Sequence, residues 1–365
     1  MPEIRCDSCG AQFPLSGVPY RCPTCGGIWD YANPPTFTPN SEDRTQPGMW
    51  RFMNSFGLFP GAPVISLGEG NTPLVWTDWN GAQVGLKLEY QNPTGSYKDR
   101  GSAVLVSQLL ARGVKSAVED SSGNAGASFA AYAARAGLKA RVYVPESASG
   151  PKRVQIETYG ADLVRIPGPR AEAARAVLQE VENGAVYASH AYLPFGLMGI
   201  ATIAYEIWQQ LGRVPGAVIA PTGHGGLLLG IVRGFSALQK AGMISTLPYY
   251  VGVQAAGCAP TVAAWQHGLP AIEQIVEAPT VAEGVRVRRP IRVEALLREI
   301  KPGQGEFIAI AEDHLLEGYK ALAGRGFYVE PTSALAWCAY QQISERLPGP
   351  VVLVLTGSGY KVQSI

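Results

Sequence analysis

Short apolar strands alternate with helices along most of this chain, and glycine-containing turns follow several of the strands. This order of elements is typical of βαβ units, in which parallel strands form a sheet that helices cover. Ligands bind at the carboxyl ends of the strands in such sheets, because the turns that follow the strands lie along one edge. The alternation therefore predicts an α/β fold and directs the search for a functional site to these turns.

The spacing of apolar residues and the positions of turn-forming residues predict the limits of the individual elements. Strands are predicted at 85–90, 116–118, 140–144, 162–166, 217–220 and 351–355, and helices at 102–112, 129–136, 151–159, 171–183 and 227–235.

Length and composition indicate a globular enzyme. The chain has 365 residues, enough for two or three domains, and 47% of them are hydrophobic while 16% are charged. A net charge of +1 gives no general attraction to nucleic acid or to an anionic membrane. The longest apolar runs fall far short of the roughly 20 residues that a membrane span requires, and no signal-peptide pattern opens the sequence. We therefore expect a cytoplasmic protein that binds neither nucleic acid nor membrane.

A turn at 92–101 reads Asn-Pro-Thr-Gly-Ser-Tyr-Lys-Asp-Arg-Gly and leads into the helix predicted at 102–112. Lys98 thus lies close to a helix N-terminus, whose partial positive charge favours the neutral amine. Because the neutral amine is the form that attacks an aldehyde, Lys98 is a candidate nucleophile. The alternative is a solvated lysine in a first helical turn, which is the commoner case for a loop lysine without further context.

Two other turns follow a strand and open a helix, and N–H groups in that position can bind an anion. They read Ser-Ser-Gly-Asn-Ala at 121–125 and Pro-Thr-Gly-His-Gly-Gly at 221–226. Serine N-caps and an ordinary tight turn are the alternatives. The second turn is not a phosphate-binding P-loop, because no Gly-Lys-Ser/Thr closes it, and the dinucleotide fingerprint G-x-G-x-x-G is also lacking.

Four of the six cysteines lie within the first 25 residues as two C-x-x-C pairs, each followed by a glycine. This spacing predicts two knuckles that hold one structural zinc ion, with Cys6, Cys9, Cys22 and Cys25 as the ligands. Two disulfides are the alternative, which a reducing cytosol disfavours. Cys258 and Cys338 are isolated in the sequence and are expected to be buried small hydrophobes.

Five segments resemble, in order and spacing, those of threonine synthases and their relatives among the fold-type-II pyridoxal-phosphate enzymes, the tryptophan synthase beta-like family. The lysine turn at 92–101 is similar to the segment that binds the cofactor in these enzymes, and Leu-Gly-Glu-Gly-Asn-Thr-Pro-Leu at 67–74 resembles their L-G-E-G-x-T-P-L motif. The turns at 121–128, 221–226 and 356–361 resemble their substrate loop, phosphate loop and terminal Leu-Thr-Gly-x-Gly-x-Lys. Shorter similarities occur at 282–285 and 330–334.

The resemblance implies a role for each matching residue. Lys98 would bind the pyridoxal phosphate covalently and move the α-proton of the substrate. The other implied cofactor ligands are Asn124 at the phenolic oxygen, Gly223, His224, Gly225 and Gly226 at the phosphate, and Thr356 at the pyridine nitrogen. His224 would offer its backbone N–H. The implied substrate-binding residues are Ser121, Ser122, Gly123 and Ala125.

The resemblance also implies the architecture. It predicts two doubly wound α/β domains, a large one at 33–90 and 195–365 and a small one at 91–194, preceded by a zinc-ribbon-like segment at 1–32. A homodimer acting on a small amino-acid substrate is expected. The ribbon is expected to stabilise the fold without taking part in catalysis.

One segment departs from the family pattern. Threonine synthases usually carry an arginine and a Glu-Gly-Gln-Lys-Thr run ahead of the helix that holds Glu206, whereas residues 193–201 here are mostly apolar. Position 125 is alanine where those enzymes often have threonine. An apolar wall is a poor receptor for a substrate phosphate. Lys152 and Arg153 could replace the missing cations, although solvated helix-surface charges are the expected case for both.

These observations predict a pyridoxal-phosphate lyase that converts O-phosphohomoserine to threonine and phosphate. The alternative within the family is a threonine or serine dehydratase-like or β-replacement enzyme acting on an unphosphorylated amino acid. A non-catalytic zinc-ribbon binding protein is a third possibility, but the near-neutral charge argues against a basic groove. A nucleotide-dependent Rossmann enzyme would require the glycine fingerprint that the chain lacks.

Overall fold

A computed structural model describes residues 3–33, 36–148 and 150–362. The contacts within it divide the chain into two compact units. The first unit comprises residues 3–69 and 98–199, and the second comprises residues 70–97 and 200–362. The domain limits predicted from the sequence follow the family pattern and stay a prediction. The two compact units differ from them, because residues 33, 36–69 and 195–199 lie in the first unit and residues 91–97 lie in the second.

Strands and helices alternate as the sequence predicts. The strands are β1 Ile4–Cys6, β2 Trp29–Tyr31, β3 Leu74–Trp79, β4 Ala82–Lys87, β5 Ser116–Glu119, β6 Lys139–Pro145, β7 Asp162–Ile166, β8 Val186–Tyr187, β9 Ala217–Pro221, β10 Tyr249–Ala255, β11 Gly305–Ile310 and β12 Val351–Val354. The α-helices are α1 Lys98–Ala111, α2 Asn124–Ala136, α3 Pro151–Thr158, α4 Arg170–Glu182, α5 Leu197–Leu211, α6 Gly226–Lys240, α7 Pro260–His267, α8 Val293–Glu299, α9 Glu312–Ala323 and α10 Pro331–Ile343.

The first unit contains a four-stranded parallel sheet with the order β7-β6-β5-β8. Val118 of β5 pairs with Tyr187 of β8, and both side chains are buried together with Tyr143 and Val177. The strands are short, and helices α2, α3 and α4 contact them. This confirms the predicted arrangement of parallel strands covered by helices.

The second unit contains a six-stranded sheet with the order β11-β10-β9-β12-β4-β3. Every residue of β9 and β12 is buried, as expected for central parallel strands with both faces covered. Strand β3 is antiparallel to β4, so the sheet is mixed rather than wholly parallel. The connecting turn holds Asn80 and Gly81 at φ 52° and 81°, the left-handed values that an Asn-Gly hairpin turn requires.

The α/β fold is thus confirmed, and several predicted limits are wrong by a few residues. Helix α1 begins at Lys98 instead of residue 102. Helix α2 begins at Asn124, five residues before the helix predicted at 129–136, and thus directly within the turn that was expected to open it. Strand β4 is shifted towards the N-terminus relative to the predicted 85–90 and ends at Lys87, because a short 3-10 helix follows at Glu89–Gln91. Both helix corrections place candidate site residues inside the first helical turn.

The N-terminal segment forms a two-stranded antiparallel sheet, in which Cys6 of β1 pairs with Trp29 of β2. Trp29 is fully buried, and its indole N–H donates to the carbonyl oxygen of Pro19 at 2.9 Å. One indole and two short strands are a small core for such a segment, so other links must hold it. Within the described ranges, every helix of the protein is too short or too polar to serve as a membrane span.

Candidate active site

Lys98 is the first residue of α1. It is also the first residue of the segment 98–199, which belongs to the first unit. The turn before it belongs to the second unit, where Gly95 has φ 85° and donates its N–H to the carbonyl oxygen of Asn92 at 2.7 Å. A residue with a Cβ disfavours this conformation, so glycine is required at position 95. The N–H of Tyr97 bonds the carbonyl oxygen of Thr356 at 3.0 Å. The backbone directly before the lysine is therefore held firmly to the end of β12.

A buried polar contact joins the helices that carry the lysine and the asparagine. Asp99 is fully buried, and its carboxylate accepts a 2.6 Å hydrogen bond from the hydroxyl of Ser128 in α2. The same hydroxyl lies 2.8 Å from that of Ser102 in α1. Because buried polar groups must find partners, this contact fixes the relative position of the first turns of α1 and α2.

The turn between β5 and α2 is tightly closed. The hydroxyl of Ser121 accepts a hydrogen bond from the N–H of Gly123 at 3.2 Å, and Gly123 is the N-cap of α2. A Cβ on Gly126 would lie 1.8 Å from the carbonyl oxygen of Ser121, so only glycine permits this approach. The alternative of a serine N-cap is not realised, because Gly123 is the N-cap of α2 and no side chain caps the helix. The loop still presents the N-terminus of a 13-residue helix, which suits an anion.

Sequence reasoning missed a buried cluster of acidic and aromatic residues in the first unit, directly beside this turn. The Glu119 carboxylate lies 3.2 Å from Nδ1 of His190 and accepts a hydrogen bond from the N–H of Ser121. The carboxylate of the next residue, Asp120, accepts a 2.7 Å bond from the hydroxyl of Tyr187. The parallel pairing of β5 with β8 brings these strand ends together. Two consecutive acidic residues at the end of a predicted strand were the signal that could have indicated the site.

The buried cluster is electrostatically unusual. Burial raises the pKa of Glu119 to about 7, although the charges of Arg170 and Lys98 act in the opposite direction. Burial and the neighbouring Glu119 charge raise the pKa of Asp120. Burial lowers the pKa of His190 well below its usual value, and the positive charge of Lys98 lowers it further. A carboxyl that titrates near neutrality and lies within reach of the Lys98 charge is typical of functional sites.

In the second unit, the turn at 222–225 connects β9 to α6. Gly225 has φ 96°, and a Cβ there would lie 2.8 Å from Cδ1 of Leu296. A Cβ on Gly223 would lie 3.1 Å from the carbonyl oxygen of Gly284. The predicted loop at 282–285 therefore packs on the glycine turn. Helix α6 begins at Gly226 with no side-chain cap, so its first N–H groups form a backbone cradle of the kind that fits a phosphate.

Thr356 follows β12, which is paired with β9, so Thr356 and the glycine turn lie at the same edge of the second sheet. The Ser333 hydroxyl accepts hydrogen bonds from the N–H groups of Thr356 and Gly357 at 2.9 and 3.0 Å. The hydroxyl of Thr356 lies 3.4 Å from the buried carboxylate of Glu330, and a Cβ on Gly357 would lie 2.3 Å from that carboxylate. The predicted segments at 330–334 and 356–361 are thus brought together, and they present a neutral hydroxyl suited to a pyridine nitrogen.

The motif at 67–74 is divided between the units. The carboxylate of Glu69 accepts hydrogen bonds from the indole of Trp50 at 2.6 Å and the hydroxyl of Tyr132 at 2.7 Å in the first unit. In the second unit, the N–H of Asn71 donates to Glu206 at 2.7 Å, and Glu206 pairs with Lys87 at 2.7 Å. Both side chains of the pair are fully buried. These buried contacts hold the motif from both ends.

The departure at 193–201 has a steric basis in the first unit. A Cβ on Gly199, in the first turn of α5, would lie 2.0 Å from the carbonyl oxygen of Arg100 in α1. A Cβ on Gly196 would lie 3.0 Å from the carbonyl oxygen of Gly101. This segment packs so closely on α1 that an arginine at position 196 would require the backbone to move. The apolar run is therefore a packing surface for the helix that carries Lys98.

The four N-terminal cysteines converge. Their sulfur atoms all lie within 4.8 Å of one another, with Sγ–Sγ distances of 3.5 Å between Cys6 and Cys25 and 3.7 Å between Cys9 and Cys22. All four are free thiols, so the disulfide alternative is not realised. Burial opposes ionisation of Cys22, but hydrogen bonds from the N–H groups of Cys25 and Thr24 and from the side chains of Cys9 and Cys6 together outweigh it and lower the pKa of Cys22 to about 6. Sulfur atoms bound to one tetrahedral zinc ion are about 3.8 Å apart, so this donor set fits zinc.

The cysteine segment packs on the strand end that carries His190. The ring of Tyr20 makes edge-on contacts with Tyr187 and Tyr192, with centroids 5.4 and 5.2 Å apart. Arg21 donates to the hydroxyl of Tyr192 at 3.2 Å. Arg112, just after α1, donates to the carbonyl oxygen of Pro14 at 2.7 Å. The segment is thus held to the rest of the first unit through aromatic and guanidinium contacts.

The structure places the predicted site residues in two groups. The first unit holds Lys98 and the turn at 121–125, and the four cysteines form a separate cluster in the same unit. The second unit holds the glycine turn at 223–226 and Thr356 at one sheet edge. Each group lies at the carboxyl end of parallel strands, where the fold predicts a ligand.

Comparison with known proteins agrees with this geometry. Residues 65–357 match the family model described as pyridoxal-phosphate dependent enzyme. A threonine synthase of Methanocaldococcus jannaschii is 33% identical over 375 aligned residues, which cover 98% of this chain and 92% of that protein. A threonine synthase of Synechocystis is 34% identical over 310 residues, covering 82% and 79%.

Solved structures show the same fold. The crystal structure of a T.th. threonine deaminase superposes with a TM-score of 0.68 at 29% identity, covering 80% of this chain and 94% of that chain. Threonine deaminase isoform 2 of Solanum lycopersicum has a TM-score of 0.68 at 21% identity, covering 90% and 93%, and shows the fold alone. Because the family model matches residues 65–357, most of the length of the protein, this chain belongs to the pyridoxal-phosphate-dependent enzymes.

Proposed function

We propose that the protein is a threonine synthase-like lyase that converts O-phosphohomoserine and water to threonine and phosphate. The observation that carries this proposal is similarity along nearly the whole chain to proteins named threonine synthase, including the segments that bear the candidate site. Bound pyridoxal phosphate would supply an electron sink for the electron pair left when the substrate loses its α-proton.

The residue roles that we propose are those that the family resemblance implies. Lys98 would bind the cofactor and exchange the α-proton, and Asn124 would donate to the phenolic oxygen. The backbone of Gly223, His224, Gly225 and Gly226 would bind the cofactor phosphate, and Thr356 would face the pyridine nitrogen. The helix end at Ser121, Ser122, Gly123 and Ala125 would bind the substrate carboxylate.

Lysine mapping tests the central assignment. Borohydride reduction of the holoenzyme, followed by peptide mapping, should leave the pyridoxyl group on Lys98. Two other lysines serve as internal comparisons, because Lys87 is held by Glu206 and Gln210, and Lys361 donates to the carbonyl oxygen of Thr94 at 2.7 Å. A pyridoxyl group on either of these would contradict the assignment.

A dehydratase-like activity on unphosphorylated threonine or serine is the second candidate. The apolar run at 193–201 favours it, because an apolar wall is a poor receptor for a substrate phosphate, and the close packing of Gly196 and Gly199 on α1 disfavours a larger side chain at these two positions. The 29% identity to a threonine deaminase is also compatible with it. Arg153 donates to the carbonyl oxygen of Ala148 at 3.1 Å and lies 3.9 Å from Glu157, contacts that are consistent with a surface role.

Steady-state turnover of O-phosphohomoserine, threonine and serine distinguishes the two candidates. Threonine formation from O-phosphohomoserine supports the synthase, and turnover confined to the unphosphorylated amino acids supports the dehydratase. The double variant Lys152→Ala with Arg153→Ala should leave either activity close to the parent value if both side chains are surface charges. A selective rise in KM for O-phosphohomoserine would instead assign the substrate phosphate to them.

We also propose that the four cysteines bind one structural zinc ion, which four converging sulfur ligands support. Metal analysis of protein purified without chelator should find about one zinc per chain.

We further propose that the protein is cytoplasmic and forms a homodimer. The six free cysteines are compatible with a reducing compartment, and light scattering would test the dimer.

A further inference from the structure

The pair formed by Glu119 and His190 has no part in the cofactor-binding roles assigned above, although it lies beside the candidate substrate loop. The carboxylate is 2% exposed and bonds Nδ1 of the imidazole, whereas about a quarter of the His190 side chain, 26%, is exposed. The imidazole is therefore the member of the pair that a small molecule can reach. Burying a carboxyl without a full ion-pair partner is costly, so a functional reason for it is worth seeking.

The charges around the pair come from several elements. Lys98 of α1 and Arg170 of α4 act on it with positive charge, and Asp120 of the β5–α2 turn acts with negative charge. Tyr187 of β8 donates to Asp120 and not to the pair. The positive neighbours disfavour a charged imidazole, and burial disfavours a charged carboxylate. When the pair takes up a proton, the Glu119 carboxyl is therefore the group that is protonated.

Both candidate reactions require a group that accepts or donates a proton at the Cβ oxygen, a role that is not assigned to Lys98. Threonine formation adds water to Cβ, and threonine dehydration removes water from Cβ. In each direction, a proton must leave or reach the Cβ oxygen while the α-proton is exchanged separately. An acid–base group that titrates close to neutrality performs this transfer in either direction.

Resting on the proposed function, we propose that His190 and Glu119 form a relay that exchanges a proton with the oxygen on Cβ of the substrate. In the direction of threonine formation, an O–H bond of water breaks and its proton passes to Nε2 of His190. The Nδ1 proton of His190 passes to Glu119, which becomes a neutral carboxylic acid. The oxygen lone pair forms the Cβ–O bond, the alkene electron pair moves to Cα, and Cα takes a proton from the Lys98 ammonium.

The relay balances in atoms and charge. Water, the alkene, a protonated lysine and an ionised carboxyl become an alcohol, a neutral amine and a neutral carboxyl. His190 begins and ends as a neutral imidazole and changes only its tautomer. Its low affinity for an additional proton favours this course, because the neighbouring Glu119 accepts the proton instead. The relay differs in this respect from a catalytic triad, in which the carboxylate stays ionised.

The test separates the two proton transfers in one substrate. The holoenzyme is incubated in D₂O with L-threonine that carries ¹⁸O in its hydroxyl group. Deuterium incorporation at Cα reports the lysine step, and loss of ¹⁸O reports cleavage of the Cβ–O bond. Glu119→Gln and His190→Gln should retain deuterium incorporation near the parent rate and lose ¹⁸O release by about 10²–10³-fold, the usual contribution of a general acid–base group.

Tyr187→Phe is the matched control, because it removes the neighbouring, partly buried hydrogen bond to Asp120 and leaves the pair in place. The Tyr187→Phe variant should retain the parent rates of deuterium incorporation at Cα and of ¹⁸O release. A parallel decrease of both rates in the Glu119 and His190 variants would show a purely structural role, and unchanged ¹⁸O release would show that the pair is not used. Either result overturns the relay. A parent protein that incorporates no deuterium overturns the proposed function itself.

A second measurement does not depend on turnover. The chain has four histidines, so ¹⁵N labelling of histidine yields few ring-nitrogen signals, and His190→Gln identifies those of His190. In the parent, the ring hydrogen should move from Nε2 to Nδ1 as the pH rises through about 7, where Glu119 ionises. In Glu119→Gln this pH dependence should disappear. A His190 tautomer that stays constant in the parent would contradict the relay.

Discussion

At the scale of single residues, the site depends on groups whose environment alters their chemistry. Glu119 lies at the end of a strand, yet it is almost completely buried, so its carboxyl is removed from water. In water the same carboxyl would be ionised at neutral pH. Desolvation, rather than an opposing charge, determines its pKa, since Arg170 and Lys98 both act in the other direction.

The free energy of unfolding of the Glu119→Gln variant should increase relative to that of the parent protein as the pH rises. Between the ordinary glutamate value and about 7, folded Glu119 retains a proton that unfolded Glu119 releases, so its contribution to the free energy of unfolding falls with increasing pH. The gain of the variant over the parent between pH 5 and pH 8 should reach at most about 3 kcal/mol, from about 1.4 kcal/mol per pKa unit.

Denaturant unfolding of both proteins at the two pH values measures this gain. Glu157→Gln is the surface control, because Glu157 is 38% exposed and pairs with Arg165, and such pairs contribute little. An identical pH dependence in Glu119→Gln and the parent would contradict the desolvated carboxyl.

At the scale of elements, close helix packing takes the place of the missing polar run. Helix α5 approaches α1 at Gly199, where no side chain separates the backbones. Helix α2 likewise approaches the carbonyl of Ser121 at Gly126. The two approaches leave little freedom to α1 and α2, which begin at Lys98 and Asn124.

Gly199→Ala should destabilise the first unit by about 1–3 kcal/mol, the usual cost of overpacking a close contact. The added Cβ would lie 2.0 Å from a backbone carbonyl oxygen that cannot rotate away. Gly324→Ala is the matched control, because its added Cβ would lie 3.4 Å from the nearest atom outside its neighbours and its φ is −63°. Thermal unfolding compares the two, and equal Tm values would show that α5 can shift without cost.

The elements themselves were predictable to a large extent, because βαβ periodicity depends on local residue patterns. The strand at Asp162–Ile166 was predicted with its observed limits. The start of α1 was missed because the polar Lys98 and Asp99 and the central Gly101 obscure the helical pattern there. Strand β3 was missed although Asn80-Gly81 is a strong hairpin signal. His190 was beyond reach, since its contact with Glu119 depends on a pairing between strands that are far apart in sequence.

At the scale of the whole molecule, two α/β units carry the candidate ligands and a cysteine segment packs on one of them. The sheet edges where the ligands are expected follow from the topology of each unit. The cysteine segment has a small core of its own, so its order relies on the sulfur cluster and on its contacts with the first unit.

Cys9→Ser should abolish stoichiometric zinc binding and lower the Tm of the first unit by at least about 2–4 °C, the shift expected for a loss of about 1 kcal/mol in a unit of this size. Metal analysis and calorimetry measure the two effects. Cys258→Ser alters an isolated buried thiol and should leave the zinc content unchanged. Full zinc content in Cys9→Ser would contradict the four-sulfur site.

The contact of Tyr20 and Arg21 with Tyr187 and Tyr192 bears on how such a chain can gain or lose its N-terminal segment during evolution. Deleting the segment would leave two tyrosine rings uncovered two to three residues from His190. A related protein without the segment should therefore have other residues in place of these tyrosines, or another element that covers them. We therefore expect the segment and residues 187–192 to change together among related proteins, even though more than a hundred residues separate them in the sequence.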